Sequence, residues 1–246
     1  MHADPADQQH LITVADLDAE LGRLQHSAKS LPQHARVSEL MEERADVLDA
    51  FTAASTRADD LQVAVERAES DLAPVRARLE RESERVEDGS ITDQKTLSGL
   101  LEEIERLRKR VSDLEDEELG VMGELEEEEE TRDELETRKA EVETELRAVV
   151  AERDEEVAGL QTQAKQLQHQ RRQTAEKIDS GLLKLYERIR SKKGYGAARL
   201  ARGRCSGCQL EVTVVDLDRF RHAPANEVLR CAECDCILVR TPESGL

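Results

Sequence analysis

VSELMEERADVLDAFTAASTRADDLQVAVERAESDLAPVRARLERESERV, residues 37–86, carries one 3-4 hydrophobic repeat from end to end. The repeat visits Val37, Leu40, Arg44, Val47, Phe51, Ala54, Ala58, Leu61, Val65, Ala68, Leu72, Val75, Leu79, Glu82 and Val86. All but Arg44 and Glu82 are apolar. That spacing places one apolar stripe along a helix, and a stripe sustained this far is a coiled-coil seam. Upstream, Val14, Leu17, Leu21, Leu24, Ala28 and Leu31 keep the spacing in another phase. The slip falls at Leu31-Pro32, where proline removes a helical hydrogen bond and restricts its predecessor, so a kink or break is expected. Pro74 lies on the outward side of the seam and can bend the helix without ending it.

The seam closes at Glu87-Asp88-Gly89-Ser90. Gly89 suits the position just past a helix, and Ser90 or Thr92 can cap the next one. A second seam follows through Leu97, Leu100, Ile104, Leu107, Val111, Leu114, Val121, Leu125, Leu135, Val142, Leu146, Val149, Leu160 and Leu167. Glu118, Glu128, Arg132, Lys139, Arg153, Glu156 and Gln163 interrupt it. Folding the chain at Gly89 sets residues 37–86 beside roughly 93–142, and 11–31 beside roughly 148–168. Matched arms with a turn between them point to an antiparallel hairpin within one chain. The alternative is a parallel coiled coil between chains, and the oligomeric expectation is a monomer or weak dimer.

Composition agrees with long helices: of 246 residues, 37% are charged and 2% aromatic, with no Trp. The net charge of −19 is unevenly spread. Residues 102–156 hold 24 acidic and 9 basic side chains, whereas residues 165–204 hold 12 basic and 3 acidic ones. The run Glu126–Glu130 points around a helix axis, cannot converge on a cation, and reads as a solvated face. The opening Met1-His2-Ala3-Asp4-Pro5 lacks a basic segment followed by an apolar one, and no stretch is apolar enough to span a bilayer. A cytoplasmic location without membrane attachment is expected, where reducing conditions favour metal thiolates over disulfides.

Near the C-terminus, Cys205-Ser-Gly-Cys208 and Cys231-Ala-Glu-Cys234 form two C-x-x-C pairs separated by 22 residues. Each pair puts two thiolates on one tight turn, and together they supply the four ligands of a closed structural zinc site, with one Zn2+ expected. A thioredoxin-like redox pair would need a βαβ context that the sequence lacks. Cys236 is left over as a free thiol or a substitute ligand through C-x-C. His222 reads as a surface histidine. Leu210–Val215, Val228–Arg230 and Ile237–Val239 read as short strands, and zinc is expected to serve as the core of so small a ribbon. Arg188, Arg190, Lys192, Lys193, Arg199, Arg202 and Arg204, around Tyr186 and Tyr195, form a candidate nucleic-acid or partner-binding surface. No nucleophile–base arrangement or phosphate loop is recognisable, and no enzyme is expected.

Leu182–Arg190, Gly203–Cys208 and Cys231–Leu238 together resemble the bacterial C4-type zinc-ribbon proteins with an N-terminal coiled-coil hairpin. The resemblance implies a long, bent antiparallel hairpin carrying a zinc ribbon. It implies a non-enzymatic adaptor that binds regulatory proteins or RNA, with links to flagellar regulation and alternative sigma factors. The family usually has Gly-Arg after the last zinc cysteine, where this chain has Asp235-Cys236. The expected fold is mainly α, a long antiparallel coiled-coil helical hairpin with a small C-terminal β zinc ribbon. Its divisions are a disordered lead over 1–9, hairpin and basic helix over 10–190 turning near 87–92, a linker over 191–204, and the ribbon over 205–242. The expected function is a zinc-binding adaptor that contacts a regulatory protein, or alternatively an RNA/DNA-binding module using residues 165–204 and the ribbon.

Overall fold

The computed structural model describes all residues, 1–246, and divides into two compact units: Ala35–Val150, and Met1–His34 with Ala151–Leu246. Five helices and four strands follow in the order α1 (Pro5–Lys29), α2 (Pro32–Glu87), α3 (Gln94–Ala175), α4 (Ser180–Lys193), β1 (Ala197–Ala201), β2 (Arg204–Cys205), α5 (Val214–His222), β3 (Leu229–Arg230) and β4 (Ile237–Arg240).

Within Ala35–Val150, α2 and α3 form the antiparallel coiled-coil hairpin read from the repeat. Of the fifteen seam positions between Val37 and Val86, only Arg44 is exposed. Ion pairs across the hairpin fix its register. Arg36 meets Glu145 at 2.6 Å, Arg57 meets Glu128 at 2.8 Å, Arg76 meets Glu115 at 2.6 Å and Arg78 meets Glu103 at 2.8 Å. One partner's number falls as the other's rises, the signature of arms running in opposite directions. Leu72, Val111 and Leu114 are buried together, with Val75 and Leu79 packed against them. Two polar intrusions of the second arm and one of the first find partners across the seam. Glu128 takes Arg57, Lys139 sits with its ammonium 4.9 Å from the centre of the Phe51 ring, and Arg44 turns out to Glu143 at 3.2 Å. Glu126, Glu127, Glu129 and Glu130 are exposed and do not converge.

The turn falls between Glu87 and Gln94, with Gly89 left-handed. The cap of α3 is neither Ser90 nor Thr92 but Asp93, whose carboxylate accepts from the Thr96 N–H at 2.9 Å. A carboxylate one residue nearer the helix satisfies the free N–H and its charge suits the positive helix end. Upstream, α1 ends at Lys29 and α2 begins at Pro32, so the proline is a break. The Ser30 hydroxyl donates to the His26 carbonyl at 2.9 Å and closes the last turn of α1. Pro74 stays inside α2.

In the other unit the strands form one sheet in the order β2-β1-β4-β3. β1 runs parallel to β4, and the two edge pairs are antiparallel. Two divisions differ from expectation here. Residues 1–9 are not a disordered lead. Ala3 is buried and donates its N–H to the Asn226 carbonyl at 2.8 Å, and α1 begins at Pro5 behind an Asp4 cap. Residues 191–204 are not a linker, because they hold the end of α4, all of β1 and the start of β2. One continuous core joins Leu11, Ile12 and Val14 of α1, Leu182, Tyr186 and Ile189 of α4, and Leu200, Ile237, Leu238 and Val239 of the sheet. The ribbon therefore borrows a hydrophobic core from two helices, where the sequence suggested that metal alone would serve.

Leu210–Val215 is also not a strand. Thr213 caps α5, its side chain accepting from the Asp216 N–H at 3.1 Å while its hydroxyl donates to the Asp216 carboxylate at 2.9 Å. A Thr-x-x-Asp reciprocal cap outweighs the β-branched run Val212–Val215.

Candidate metal centre

Two turns of the same construction present the cysteines. In the first, the Gln209 N–H donates to the Cys205 carbonyl at 2.8 Å and the Cys205 N–H to the Leu210 carbonyl at 3.0 Å. In the second, Asp235 donates to Cys231 at 3.0 Å and Cys231 to Cys236 at 3.0 Å. Both turns close through a non-glycine residue in the left-handed region, Gln209 at φ 65° and Asp235 at φ 63°. The residue after the second cysteine must double back so that two thiols face inward. Strain of this kind is held by its surroundings and marks a functional site.

The turns bring together Cys205, Cys208, Cys231 and Cys234, whose sulfurs all lie within 4.8 Å of one another. Cys205 and Cys234 are 3.8 Å apart, as are Cys208 and Cys231. A tetrahedron built on metal–sulfur bonds of ~2.3 Å has edges of about 3.8 Å, which two of the sulfur pairs match, and the set as a whole is gathered to the size of a four-coordinate site. All four donors come from the chain, and three of them are buried. In the metal-free protein the crowded sulfurs divide in character. A hydrogen bond from Cys236 is foremost in holding the Cys205 thiol down to about 4, whereas burial pushes Cys231 up to about 12 and also raises Cys208.

Cys236 is part of this cluster. It is wholly buried, with its sulfur 3.3 Å from that of Cys234 and 3.5 Å from that of Cys205. It sits beside the group of four thiols gathered within 4.8 Å of one another. His222 is no ligand; its ring bonds the Asp218 carbonyl at 2.8 Å.

The candidate binding surface of nine residues divides. Tyr186 is fully buried and donates to Asp18 at 2.6 Å. Its ring and carbonyl lie so close to Gly196 that a Cβ there would sit 2.5 Å and 2.6 Å from them. The Tyr195 ring rests on the first knuckle, where a Cβ on Gly207 would come within 2.7 Å of it. Tyr186 is a packing residue with no free ring face, and Tyr195, half-buried, packs one side of its ring on the knuckle. Arg190 meets Asp18 at 3.1 Å, Arg199 meets Asp16 at 2.5 Å, and Arg204 meets Glu211 at 2.5 Å. Arg188, Lys192, Lys193 and Arg202 are exposed and make no ion pair. Arg188, Lys192 and Lys193 line a cavity of about 210 Å³ with Ile189, Arg230, Cys234 and Asp235. Sequence reasoning missed Arg230 and Asp235, which form an ion pair at the cavity's wall.

It also missed the buried polar knot beneath. Asp18 accepts from Arg171 at 2.6 and 3.0 Å, and Arg171 also pairs with Glu187. The knot ties α1, α3 and α4 together under the sheet. The signal was present in Asp18, which falls on the inner face of α1 between Leu17 and Leu21, but a single acidic residue in a helix carries no periodic signature.

A long antiparallel helical hairpin, with four gathered thiols in a small C-terminal sheet, defines the class of protein. The chain belongs to the CT398-like coiled coil hairpin family, whose model matches residues 14–194. It is 36% identical over 240 residues to the uncharacterized protein Rv2229c of Mycobacterium tuberculosis, covering 98% of each chain. A solved structure from Mycobacterium smegmatis matches with a TM-score of 0.84 at 32% identity, over 98% of this chain and 100% of that one. The structure of CT398 from Chlamydia trachomatis shares the fold, with a TM-score of 0.68 at 18% identity, over 96% of this chain and 98% of that one.

Proposed function

We propose that the chain is a non-enzymatic, zinc-binding interaction protein of the cytoplasm whose sheet-bearing unit contacts a protein partner. The zinc reading is supported by four thiols within 4.8 Å of one another, a donor set that soft thiolate chemistry directs to zinc or to an iron–sulfur cluster. Four protein donors complete a tetrahedron, so a bound ion is a structural clamp with no position left for substrate. No helix is long and apolar enough to cross a membrane.

The observation that carries the partner reading is an apolar edge beside the first knuckle. Val214 and Val215 open α5 at 82% and 81% exposure, with Leu210 close by in sequence at 51%. Exposed apolar side chains gathered beside a rigid centre mark a protein-contact surface. Purified full-length protein, crosslinked in native lysate, is expected to capture a protein that survives nuclease treatment. The double variant Val214→Asp, Val215→Asp is expected to lose it. Equal capture by the variant removes this surface from the reading.

The unpaired cations Arg188, Lys192, Lys193 and Arg202 favour a second reading, RNA or DNA contact. Capture abolished by nuclease supports that reading over the first.

A further inference from the structure

We propose that Cys234 is an oxidation site for hydroperoxides, with Cys236 as its resolving thiol. This modification takes one sulfur away from the metal, and it rests on the zinc reading above. Cys236 is surplus to the centre. Four other thiols complete the tetrahedron, and the sulfur of Cys236 meets only two of them, Cys234 at 3.3 Å and Cys205 at 3.5 Å. Nor does the knuckle need a thiol there. The equivalent residue of the first knuckle is Leu210, and in both turns the backbone carbonyl of this residue makes the bond that closes the turn. What differs is placement: Leu210 is exposed, whereas Cys236 is wholly buried against two ligand sulfurs.

Access supplies the second observation. Cys234 is the only thiol lining the cavity of about 210 Å³ beside Arg188, Lys192, Lys193 and Arg230. A water molecule claims about 30 Å³ of liquid volume, so a small hydroperoxide fits there. Three of those cations have no carboxylate partner and favour the anion that departs. The Cys234 thiolate attacks one peroxide oxygen; the S–O bond forms, the O–O bond breaks, and hydroxide leaves. Cys236 then attacks the sulfur of the Cys234 sulfenic acid, the S–S bond forms, and the Cys236 proton leaves with the hydroxyl as water. Two thiols lose two electrons and the peroxide gains them. Only three of the four ligands remain.

The test uses full-length protein whose bound zinc has been measured, treated with hydrogen peroxide while released zinc is followed with a chromogenic chelator. Wild type is expected to release its zinc as a Cys234–Cys236 disulfide forms, both reversed by dithiothreitol and fresh zinc. Because the resolving sulfur is already in contact, Cys236→Val is expected to release zinc about tenfold more slowly and to carry over-oxidised Cys234. Peptide mapping of the wild-type disulfide decides the matter independently of whether the variant folds. A disulfide that joins any pair other than Cys234 and Cys236, or unchanged release from a folded Cys236→Val, overturns the proposal. Protein that binds no zinc when reduced overturns the metal reading, and the proposal with it.

Discussion

Asp18 holds together more than any other single side chain outside the cysteines. Two arginines and a buried tyrosine hydroxyl converge on its carboxylate, which is 6% exposed. Burial and the bond to Asp18 raise the Tyr186 hydroxyl well above its usual range, and the same carboxylate keeps Arg171 more firmly charged than usual. Removing one partner of such a knot leaves buried charge uncompensated, so Asp18→Ala is expected to lower unfolding stability by about 3–5 kcal/mol. Urea unfolding of the full chain measures this, and a loss under ~1 kcal/mol would mean that the arginines relax to solvent at little cost. The cysteines offer a pH test. Burial keeps the Cys231 thiol protonated up to about 12 in the metal-free protein, and Cys208 is also raised. A metal takes thiolates, so loading must expel both protons, and lowering the pH opposes it. Apparent zinc affinity is expected to weaken by at least about a hundredfold per pH unit of acidification around neutrality. Competition with a chelator of known pH behaviour reads the slope, and a flat profile would show that the ligands are already ionised.

The elements differ in how far their own sequence announced them. α2 was legible almost residue by residue, because a seam is a local, periodic signal and each of its positions meets the partner arm in the same way. Arg44, the one exposed position, is also one of the two that broke the apolar pattern. The later part of α3 was less legible, since Glu128 and Lys139 looked like defects until their partners Arg57 and Phe51 were in view across the hairpin. β1 was missed for a different reason. Ala197–Ala201 has weak strand propensity and pairs in parallel with β4, some forty residues later, and only that pairing makes it a strand. α5 was misread although Thr213 and Asp216 carried a usable cap signal. The gathering of four thiols was legible from spacing alone, whereas the contacts of Cys236 depend on how the second knuckle turns. The seam invites its own test. Leu72 is 1% exposed in the cluster with Val111 and Leu114, so Leu72→Ala is expected to lower stability by about 2–5 kcal/mol. Val63→Ala, at a position 65% exposed, serves as the control. Equal effects from the two would mean that the arms do not pack along the predicted stripe.

At the scale of the molecule, the distribution of charge bounds the nucleic-acid reading. The chain carries −19 overall, and more than half of its acidic excess lies on α3. Long-range repulsion therefore opposes nucleic acid, and any affinity must come from a local cationic surface. Seven basic residues seemed available on sequence grounds. Pairing with Asp18, Asp16 and Glu211 withdraws Arg190, Arg199 and Arg204, which leaves Arg188, Lys192, Lys193 and Arg202. For single strands the logarithm of affinity falls with the logarithm of salt at about −0.7 per phosphate neutralised, so four cations give a slope of about −3, where seven would give about −5. The structure thus sets a ceiling on the electrostatic share of RNA binding. If a homopolymeric RNA binds at all, a fluorescence titration between ~50 and ~200 mM salt is expected to give the shallower slope, and Lys192→Gln with Lys193→Gln should reduce it by about half. A slope near −5 would require the three paired arginines to leave their carboxylates.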